Sequence, residues 1–421
     1  MVELKISSGD YIKLGLAKRE VEGRVLESHD SEIVLLKLKS GYNIGISKDS
    51  IARYKVIRRF KESSDDFKIP KGKGKPSIGL VVTGGTIASK LDSKTGGVKP
   101  ITEIKDFAKT YHTLFDKVNI KKMEVPFVEL SENMSSEHWI KIAEKVKEML
   151  DDKEIQGVIV THGSDTLHYT SAALSFFLRD LNKPVVLTFS QRSVDRASSD
   201  AEMNLNCAVE MALSDCAEVM IVGHASTNDD FCYALPGTKV RKMHTSRRDT
   251  FKAINDSPIA KIQNDKVEFL SEYRPRNKER TDLDAKFSDR VALVKFYPGQ
   301  KPDILDFYKE KYKGIVVEMT GLGHVASGDV KNSWLSKIKK LTKEGFVICG
   351  VPQTINGRVN SKVYSSGRAL EKAGVIYLED MLSETAFVKL GWVLGHRNWK
   401  EKVREKMLEN FSGEFNELLN E

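Results

Sequence analysis

The stretch IGLVVTGGTIAS, residues 78–89, decides the fold of this 421-residue chain. In it, an apolar run of strand length ends in a glycine-rich turn. The same pattern returns at GVIVT before His162-Gly163, VVLTF before Ser190-Gln191, VMIV before Gly223-His224, ALVKF before Tyr297-Pro298-Gly299, IVVEM before Thr320-Gly321 and FVICGV before Pro352-Gln353. Apolar strands that alternate with helical stretches are typical of parallel sheets covered on both faces. The sequence therefore predicts an α/β architecture here.

The first 52 residues or so follow another pattern, with short β segments at YIKLGL, EVEGRVLES, EIVLLKL and YNIGI. Their tight spacing predicts a small β-barrel-like module. Residues 53–75 are basic and contain glycines and a proline, which is typical of a linker. We therefore predict a small β module plus basic linker over 1–75, a large α/β domain that carries the catalytic motifs over 76–275, and a smaller C-terminal α/β domain over 286–421. Both α/β domains are expected to be doubly wound.

Several helices are also expected within and after the large domain. Ser135 can cap an amphipathic helix over 136–150. Further helices are expected at about 166–180 and 196–213, and a last one from about 398 to the C-terminus.

The composition is that of a globular protein, with 40% hydrophobic and 30% charged residues. A net charge of +8 suits an acidic partner such as RNA and equally suits a solvated surface. The four cysteines have no metal-binding spacing, so neither a zinc site nor a disulfide scaffold is expected. No apolar run approaches ~18 residues and no signal-peptide profile is evident, so we predict a cytoplasmic protein.

Candidate ligand-binding residues follow two of the strands. In open α/β sheets, ligands bind outside the carboxyl ends of the strands. After the first strand, Gly84 and Gly85 allow a sharp turn that leaves the Thr86 hydroxyl at the rim, although a plain turn with Thr86 as a helix cap is the alternative. After the second, Ser164 and Asp165 can be ordinary helix caps or can bind a small zwitterion together with the first rim. No phosphate-binding glycine motif is present.

A hydroxyl nucleophile needs a base, and no Ser-His-Asp arrangement is evident in order or spacing. A lysine can act if its surroundings lower its pKa, and Lys242 lies near an arginine and a histidine. Spacing by itself does not single Lys242 out among the many lysines. His162 and His168 flank the second rim and are expected to be structural.

Four motifs together resemble the asparaginase/glutaminase family, over about residues 76–400. They are VVTGGTIAS (81–89), ELSENM (129–134), VTHGSDTLHYT (160–170) and KVRKMHTSRRDTFKAIN (239–255). The added β module and YSSGRALEKAGVI (364–376) are similar to one branch, the D subunits of archaeal tRNA-dependent amidotransferases. The resemblance implies asparaginase-like folds for both α/β domains.

The resemblance also implies an activity and partners. Such a chain is a glutaminase that releases ammonia from glutamine and passes it to an E subunit, which binds ATP, Mg²⁺ and tRNA and converts Glu-tRNA(Gln) to Gln-tRNA(Gln). A homodimer at the centre of a heterotetramer is expected, with no cofactor or metal in this chain, tRNA contact mainly through the E subunit, and no membrane contact.

Residue roles follow from the resemblance, position by position. Thr86 matches the nucleophile, Ser164 stands where the family has a second catalytic threonine, and Asp165 and Lys242 match the acid and lysine beside it. Ser131 matches the residue that holds the substrate α-carboxylate, while Asp165 also faces the α-ammonium. The expected substrate-binding residues are Ser131, Glu132, Gly85 and Gly163.

Two departures from the family pattern bear on activity. Ser164 keeps the hydroxyl but lacks the methyl group that restricts χ1 of threonine, so slower turnover is expected. Val98 stands about where free asparaginases have a tyrosine, which favours a site completed by a partner. The alternatives are a free-standing cytoplasmic L-asparaginase and a non-catalytic tRNA-binding or assembly protein, the latter suggested by the basic segment 53–75.

Overall fold

The N-terminal residues form a small antiparallel sheet. The computed structural model describes residues 4–28, 30–60, 74–91, 98–194, 196 and 198–418. The first five strands are β1 Tyr11–Leu16, β2 Glu20–Leu26, β3 Ile33–Lys37, β4 Asn43–Ser47 and β5 Ile51–Arg58. They lie in the order β4-β3-β2-β1-β5 around a core that includes Ile12, Leu14 and Leu36, all fully buried. The predicted barrel-like module is therefore a five-stranded one.

The predicted linker begins too early, because its first residues belong to strand β5. Residues 53–58 were assigned to the basic linker, but they pair with β1, with Arg53 opposite Gly15 and Val56 opposite Ile12. Exposed basic residues alternate here with Tyr54 and Val56, which pack against the module core. The basic residues dominate the sequence pattern, and this is why the segment was predicted to be a linker. The remainder of the predicted linker that spans 61–73 lies outside the described residues.

The large α/β domain follows from residue 77. Its strands are β6 Ser77–Val82, β7 Ser89–Leu91, β8 Val98–Pro100, β9 Asn119–Glu124, β10 Ile155–Thr161, β11 Leu178–Arg179, β12 Val185–Thr188, β13 Val219–His224, β14 Cys232–Pro236, β15 Val240–Lys242, β16 Phe251–Ala253, β17 Ala260–Gln263, β18 Lys266–Phe269 and β19 Asp282–Leu283. Its helices are α1 Ile104–Thr110, α2 Leu114–Lys117, α3 Ser136–Leu150, α4 Leu167–Phe177 and α5 Ala201–Leu213. The helices predicted at 136–150, 166–180 and 196–213 are thus present, the last two with shorter bounds.

Eight of these strands form the main sheet, in the order β18-β17-β14-β13-β12-β10-β6-β9. The five from β13 to β9 are parallel, and β14, β17 and β18 are added beside β13 through successive antiparallel pairs. From β6 the chain first moves to β9 on one side and then to β10 on the other. The carboxyl ends of β6 and β10 therefore flank the point at which a doubly wound sheet opens a crevice for a ligand.

The C-terminal domain is built on a smaller sheet of four parallel strands in chain order. Its strands are β20 Val291–Lys295, β21 Gly314–Met319, β22 Val347–Pro352 and β23 Ile376–Tyr377, and its helices are α6 Ile304–Lys311, α7 Leu335–Lys343, α8 Ser365–Lys372, α9 Ser383–Gly395 and α10 Val403–Leu408. Alternate residues of β21 face two different hydrophobic cores. Val316 lies in the core that contains residues of α4 and α9, whereas Ile315 and Val317 lie in the core that contains residues of α7. The two α/β domains are therefore packed through one common core.

The C-terminal end differs from the predicted helix. A 3₁₀ segment over Arg397–Lys402 leads into α10, which ends at Leu408, and residues 409–418 are not helical. Instead, Glu414 accepts hydrogen bonds from the backbone N–H groups of Phe411 and Ser412 and forms an ion pair of 2.7 Å with Lys389 of α9. Both side chains are fully buried. A buried charge that needs this partner outweighs the helical propensity of the segment.

All four cysteines lie in the part of the chain that the structure describes. The thiols of Cys207, Cys216, Cys232 and Cys349 are free and buried. No group of three or more His, Cys, Asp or Glu side chains is placed to hold a metal ion among the described residues. None of the described helices combines the length and the apolar character needed to cross a bilayer.

Candidate active site

Two loops meet at the opening between β6 and β10. The strands pair in parallel, with Val82 opposite Thr161, so their carboxyl ends share one edge of the sheet. Beyond them, Thr83 donates to the Thr161 carbonyl from both its backbone N–H, at 3.2 Å, and its hydroxyl, at 2.9 Å. The two rims identified in the sequence are therefore held against each other directly after the strands end.

The paired glycines are required by this close approach. Gly84 and Gly85 have φ values of 117° and 79°, which side chains rarely adopt. A Cβ on Gly84 would lie 2.6 Å from the carbonyl oxygen of Glu129, and one on Gly85 would lie 2.6 Å from the backbone nitrogen of Gly163. The glycines thus let the loops after β6, β9 and β10 pack backbone against backbone.

Thr86 begins a single 3₁₀ turn, Thr86–Ala88. The turn is closed by a hydrogen bond from the Ala88 N–H to the Gly85 carbonyl at 3.1 Å. The Tyr111 hydroxyl donates to the Ile87 carbonyl, and burial raises the pKa of this tyrosine, so it stays protonated as a donor. The backbone that presents Thr86 is therefore anchored to the domain core.

A third loop supplies the expected carboxylate-binding residue. Ser131 is buried at the start of a 3₁₀ turn, Ser131–Asn133. Its carbonyl accepts a hydrogen bond of 2.7 Å from the hydroxyl of Thr166, and a Cβ on Gly163 would lie 2.9 Å from its side chain. Ser131 is therefore fixed against the rim that carries Ser164 and Asp165.

Lys242 reaches this rim from a distant part of the sequence. It is the last residue of β15, which pairs with β16, and its side chain is only 10% exposed. Its Nζ lies 3.0 Å from Ser164 Oγ and 2.6 Å from Asp165 Oδ1. A buried ammonium or amine is thus in direct contact with both the hydroxyl and the carboxylate that the sequence singled out.

These residues surround one cavity of about 420 Å³. All the residues expected to act in catalysis or substrate binding line it, except Lys242, which contacts two that do. The lining residues among them are Gly85, Thr86, Ser131, Glu132, Gly163, Ser164 and Asp165. The structure therefore brings the whole predicted set together. Ser89 and Glu129 also line the cavity and were not predicted, although both fall within or next to the quoted motifs.

One further position, Glu384, was missed because it belongs to the domain interface. Arg241, the neighbour of Lys242, forms an ion pair of 3.2 Å with Glu384 at the start of α9. His168, in the first turn of α4 after Ser164 and Asp165, lies 3.8 Å from the same carboxylate. Burial raises the pKa of Glu384. The C-terminal domain thus contacts both segments that supply the Lys242 cluster, and no local sequence signal marks Glu384.

The two histidines beside the site are both buried, as structural side chains would be. His162 is fully buried, with its ring between the Gly163 carbonyl at 2.7 Å and the Thr170 hydroxyl at 2.8 Å. Burial lowers the pKa of His162 to about 4. The pKa of His168 is lowered to about 3, first by burial and then by the charges of Arg241 and Lys242. Both rings are therefore neutral at pH 7.

Because both histidines are neutral in the folded chain, the free energy of unfolding should depend on pH below neutrality. The unfolded chain binds protons at these histidines below about pH 6.5, whereas the folded chain does not, so stability decreases as the pH falls from about 6.5 towards 4. Each histidine contributes about 1 kcal/mol of loss between pH 6 and pH 5. Urea unfolding at pH 7, 6 and 5 measures this. His168→Gln should reduce the slope by about one proton, and an unchanged slope would contradict the assignment.

The strand that carries Val98 stands beside the Thr86 turn. Its backbone lies in β8, opposite Leu91 of β7, and β7 directly follows that turn. The Val98 side chain and residues 92–97 lie outside the described part of the chain. Pro100, at the end of β8, lines the cavity. The segment that carries Val98 is therefore joined to one that borders the site.

Comparison with known proteins decides the family. The chain is 48% identical over 425 residues to the D subunit of glutamyl-tRNA(Gln) amidotransferase from Pyrococcus abyssi, covering 98% of this chain and 95% of that one. The chain belongs to the D-subunit family of the glutamyl-tRNA(Gln) amidotransferases. The D subunit from Methanococcus maripaludis is 39% identical, covering 98% of this chain and 99% of that one.

Three family descriptions match successive parts of this D-subunit family member. They are "GatD N-terminal domain" over residues 6–57, "Asparaginase, N-terminal" over 77–274 and "Glutaminase/Asparaginase C-terminal domain" over 290–407. The predicted resemblance to asparaginases and to the D-subunit branch is thereby confirmed.

Solved structures agree on the α/β fold. The thermostable L-asparaginase from Thermococcus kodakarensis has a TM-score of 0.73 and 30% identity, covering 81% of this chain and 99% of that one. A probable cytoplasmic L-asparaginase from Campylobacter jejuni has a TM-score of 0.64 and 27% identity, covering 80% and 100%. The predicted fold class, a β module followed by two asparaginase-like α/β domains, is confirmed.

Proposed function

We propose that this chain hydrolyses glutamine to supply ammonia for the amidation of Glu-tRNA(Gln). One observation carries the proposal: the Lys242 Nζ contacts both Ser164 Oγ and Asp165 Oδ1 at the cavity that Thr86 also lines. A nucleophilic hydroxyl, a second hydroxyl, an acid and an amine are the groups needed to move a proton during amide cleavage. The names of the family's other members supply the tRNA-linked context.

The proposed reaction starts at Thr86. Its hydroxyl oxygen attacks the side-chain carbonyl carbon of glutamine, and a tetrahedral intermediate forms. The C–N bond then breaks, ammonia leaves with the proton taken from the hydroxyl, and a glutamyl ester on Thr86 remains. Water then attacks this ester: its hydroxyl group goes to the acyl carbon to release glutamate, and its proton restores the Thr86 hydroxyl. Backbone N–H groups of the glycine turn would stabilise the oxyanion, each worth ~3 kcal/mol in other enzymes.

The proposed proton route uses the cluster around Lys242. Ser164 Oγ, at 3.0 Å from Lys242 Nζ, is close enough to exchange a proton with it, and Asp165 holds the lysine from the other side. Lys242 would act in its neutral form as the base and in its charged form as the acid. Asp165 is 64% exposed, so the carboxylate is also accessible to the α-ammonium group of a substrate.

Substrate orientation follows from the charges around the cavity. We assign the α-carboxylate of glutamine to Ser131 and its α-ammonium to Asp165, and we expect Glu132, which lines the same cavity, to contact the substrate as well. Gly85 and Gly163 leave the backbone free of side chains where the substrate approaches. The site therefore selects a zwitterionic amino acid whose side chain points to Thr86.

The proposed setting is a cytoplasmic complex. A homodimer of this chain would be joined by E subunits, which bind ATP, Mg²⁺ and the tRNA and receive the ammonia; this chain itself would need no cofactor. The residues that line the cavity all come from the large domain. A partner can therefore complete the site. Such a requirement would prevent hydrolysis of glutamine when no tRNA is present to accept the ammonia.

Two alternative functions differ in how well the structure and the comparisons support them. A free-standing L-asparaginase is suggested by the similarity to the Thermococcus kodakarensis structure. A non-catalytic tRNA-binding or assembly protein is opposed by the contact of Lys242 with Ser164 and Asp165, because a scaffold has no need for such a cluster.

One assay separates the three candidates. Ammonia release is measured from glutamine and from asparagine, with and without the E subunit and Glu-tRNA(Gln). The proposal expects glutamine to be preferred and its hydrolysis to rise when both partners are added. Efficient asparagine hydrolysis by the isolated chain would support the asparaginase, and no release from either amino acid under any condition would support the non-catalytic protein.

A further inference from the structure

A basic groove lies in the C-terminal domain, at the edge of the sheet where its strands begin. Two cavities of about 700 and 470 Å³ adjoin there and share Gly345, Val347, Lys400, Glu401 and Val403. Gly345 and Val347 lie at the start of β22, whereas Lys400 and Val403 lie in the 3₁₀ segment and in α10. The groove is thus on the opposite edge of this sheet from the ends at which α/β proteins usually bind small ligands.

The charge of the groove is strongly one-sided. Five basic side chains line the larger cavity: Arg290, Lys309, Lys313, Arg397 and Lys400. The smaller cavity adds Lys339, Lys343, Lys372 and Arg404. Among the described residues that line the two cavities, Glu401 is the single acidic one. Much of the +8 net charge of the chain is therefore concentrated on one surface.

Most of these charges have no carboxylate partner. Arg404 lies 3.6 Å from Glu371, but within the described ranges Lys313, Arg397 and Lys400 have no carboxylate oxygen within 4.0 Å and are exposed. Unpaired cations gathered in one concave surface repel one another. An anion that binds among these cations would offset their repulsion and explain why they are gathered in the groove.

Helix ends account for only part of this charge. Lys343 and Lys372 lie in the last turns of α7 and α8, where cations stabilise the negative end of a helix. Arg290 likewise donates to the carbonyl of Lys311, the last residue of α6, at 3.3 Å. Lys313 instead directly precedes β21, and Arg397 and Lys400 lie in the 3₁₀ segment after α9. These three side chains therefore require another explanation.

We propose that this basic groove binds the sugar–phosphate backbone of the tRNA whose amino acid is amidated. The inference rests on the proposed function, because that function brings a polyanion to the complex. Protein interfaces are depleted in lysine, whereas contacts to nucleic-acid phosphates come mainly from lysine and arginine. Tyr312 is the one aromatic side chain of the larger cavity besides His396, so the surface suits backbone contact better than base stacking.

The test measures tRNA affinity in the complex with the E subunit. The variant Lys313→Glu/Arg397→Glu/Lys400→Glu is compared with Lys295→Glu/Lys301→Glu/Lys331→Glu, which reverses three exposed lysines at or near the opposite edge of the same sheet. The probe is transcribed tRNA(Gln), titrated between about 50 and 200 mM salt. The groove variant should bind at least about tenfold more weakly and lower the salt slope by about 2 to 3, whereas the control should change by less than about twofold.

Three results would overturn the proposal. They are unchanged affinity and slope in the groove variant, equal losses in both variants, and loss of assembly with the E subunit in light scattering, which would assign the groove to an acidic protein surface instead. The glutamine versions, Lys313→Gln/Arg397→Gln/Lys400→Gln, give the same reading if charge reversal prevents folding. Glutamine hydrolysis without tRNA is measured in parallel and should be unchanged, so failure of tRNA binding and failure of the proposed function remain distinguishable.

Discussion

Thr86→Ala should reduce glutamine-dependent amidation by at least about 10⁴-fold while ammonia-dependent amidation stays within about twofold of the wild type. The reason is that Thr86 lines the cavity together with Ser164 and Asp165, and its hydroxyl is proposed to form the bond to the substrate. Supplied ammonia needs no such bond. The measurement is formation of Gln-tRNA(Gln) by the complex with the E subunit, with glutamine or an ammonium salt as donor.

Two variants control for damage to the turn. Thr86→Ser keeps the hydroxyl and should retain a large part of the activity. Ser89→Ala removes another hydroxyl that lines the same cavity and that donates to the Gly85 carbonyl at 3.1 Å, so it loosens the turn without removing the nucleophile. It should cost less than about tenfold. If Ser89→Ala and Thr86→Ala were equally inactive, or if Thr86→Ala stayed active with glutamine, the nucleophile assignment would be wrong.

The main architecture could be predicted because it is recorded in local patterns. The apolar strands with glycine ends marked the sheets, and Ser135 with its amphipathic segment marked α3, whose capping box uses His138 as the reciprocal partner. The rims at Thr86 and Ser164 could be placed at one edge because parallel strands end together. Local reasoning thus reached the two loops but could not show that they pack backbone against backbone.

What failed depends on tertiary contacts. The segment after Leu408 has a helical composition, yet it folds irregularly so that Glu414 can pair with Lys389 in the core. Strand β5 was assigned to a linker because its exposed face is basic, and its pairing with β1 is a property of two distant segments. In both cases a partner elsewhere in the chain outweighed the local signal.

Lys242 is the clearest case of what spacing cannot provide. It is 78 residues from Ser164, and the resemblance to a family, rather than any local pattern, pointed to it. The interface residue Glu384, which holds the neighbouring Arg241, was not found at all. A site assembled from separate segments is visible in one sequence only where each segment carries its own motif.

Lys242→Met should lower kcat for glutamine hydrolysis by about 10³- to 10⁴-fold at every pH at which the protein is folded, with a smaller change in KM. Methionine keeps the length of the side chain but can neither donate to Ser164 and Asp165 nor carry a proton. Lys252→Met is the matched control, because this lysine on the paired strand β16 contacts Asp249 and the Ala225 carbonyl instead of the site. It should cost less than about threefold.

Lys242→Arg then separates two roles for the lysine. Arginine retains the charge and the ability to donate hydrogen bonds, but it does not lose a proton under working conditions. If Lys242 only orients Ser164 and Asp165, the arginine variant should recover much of the lost rate. If it transfers the proton, as proposed, the arginine variant should remain within about tenfold of Lys242→Met. A wild-type rate in Lys242→Met would remove the lysine from the mechanism, and the proton would then have to pass through Ser164 and solvent.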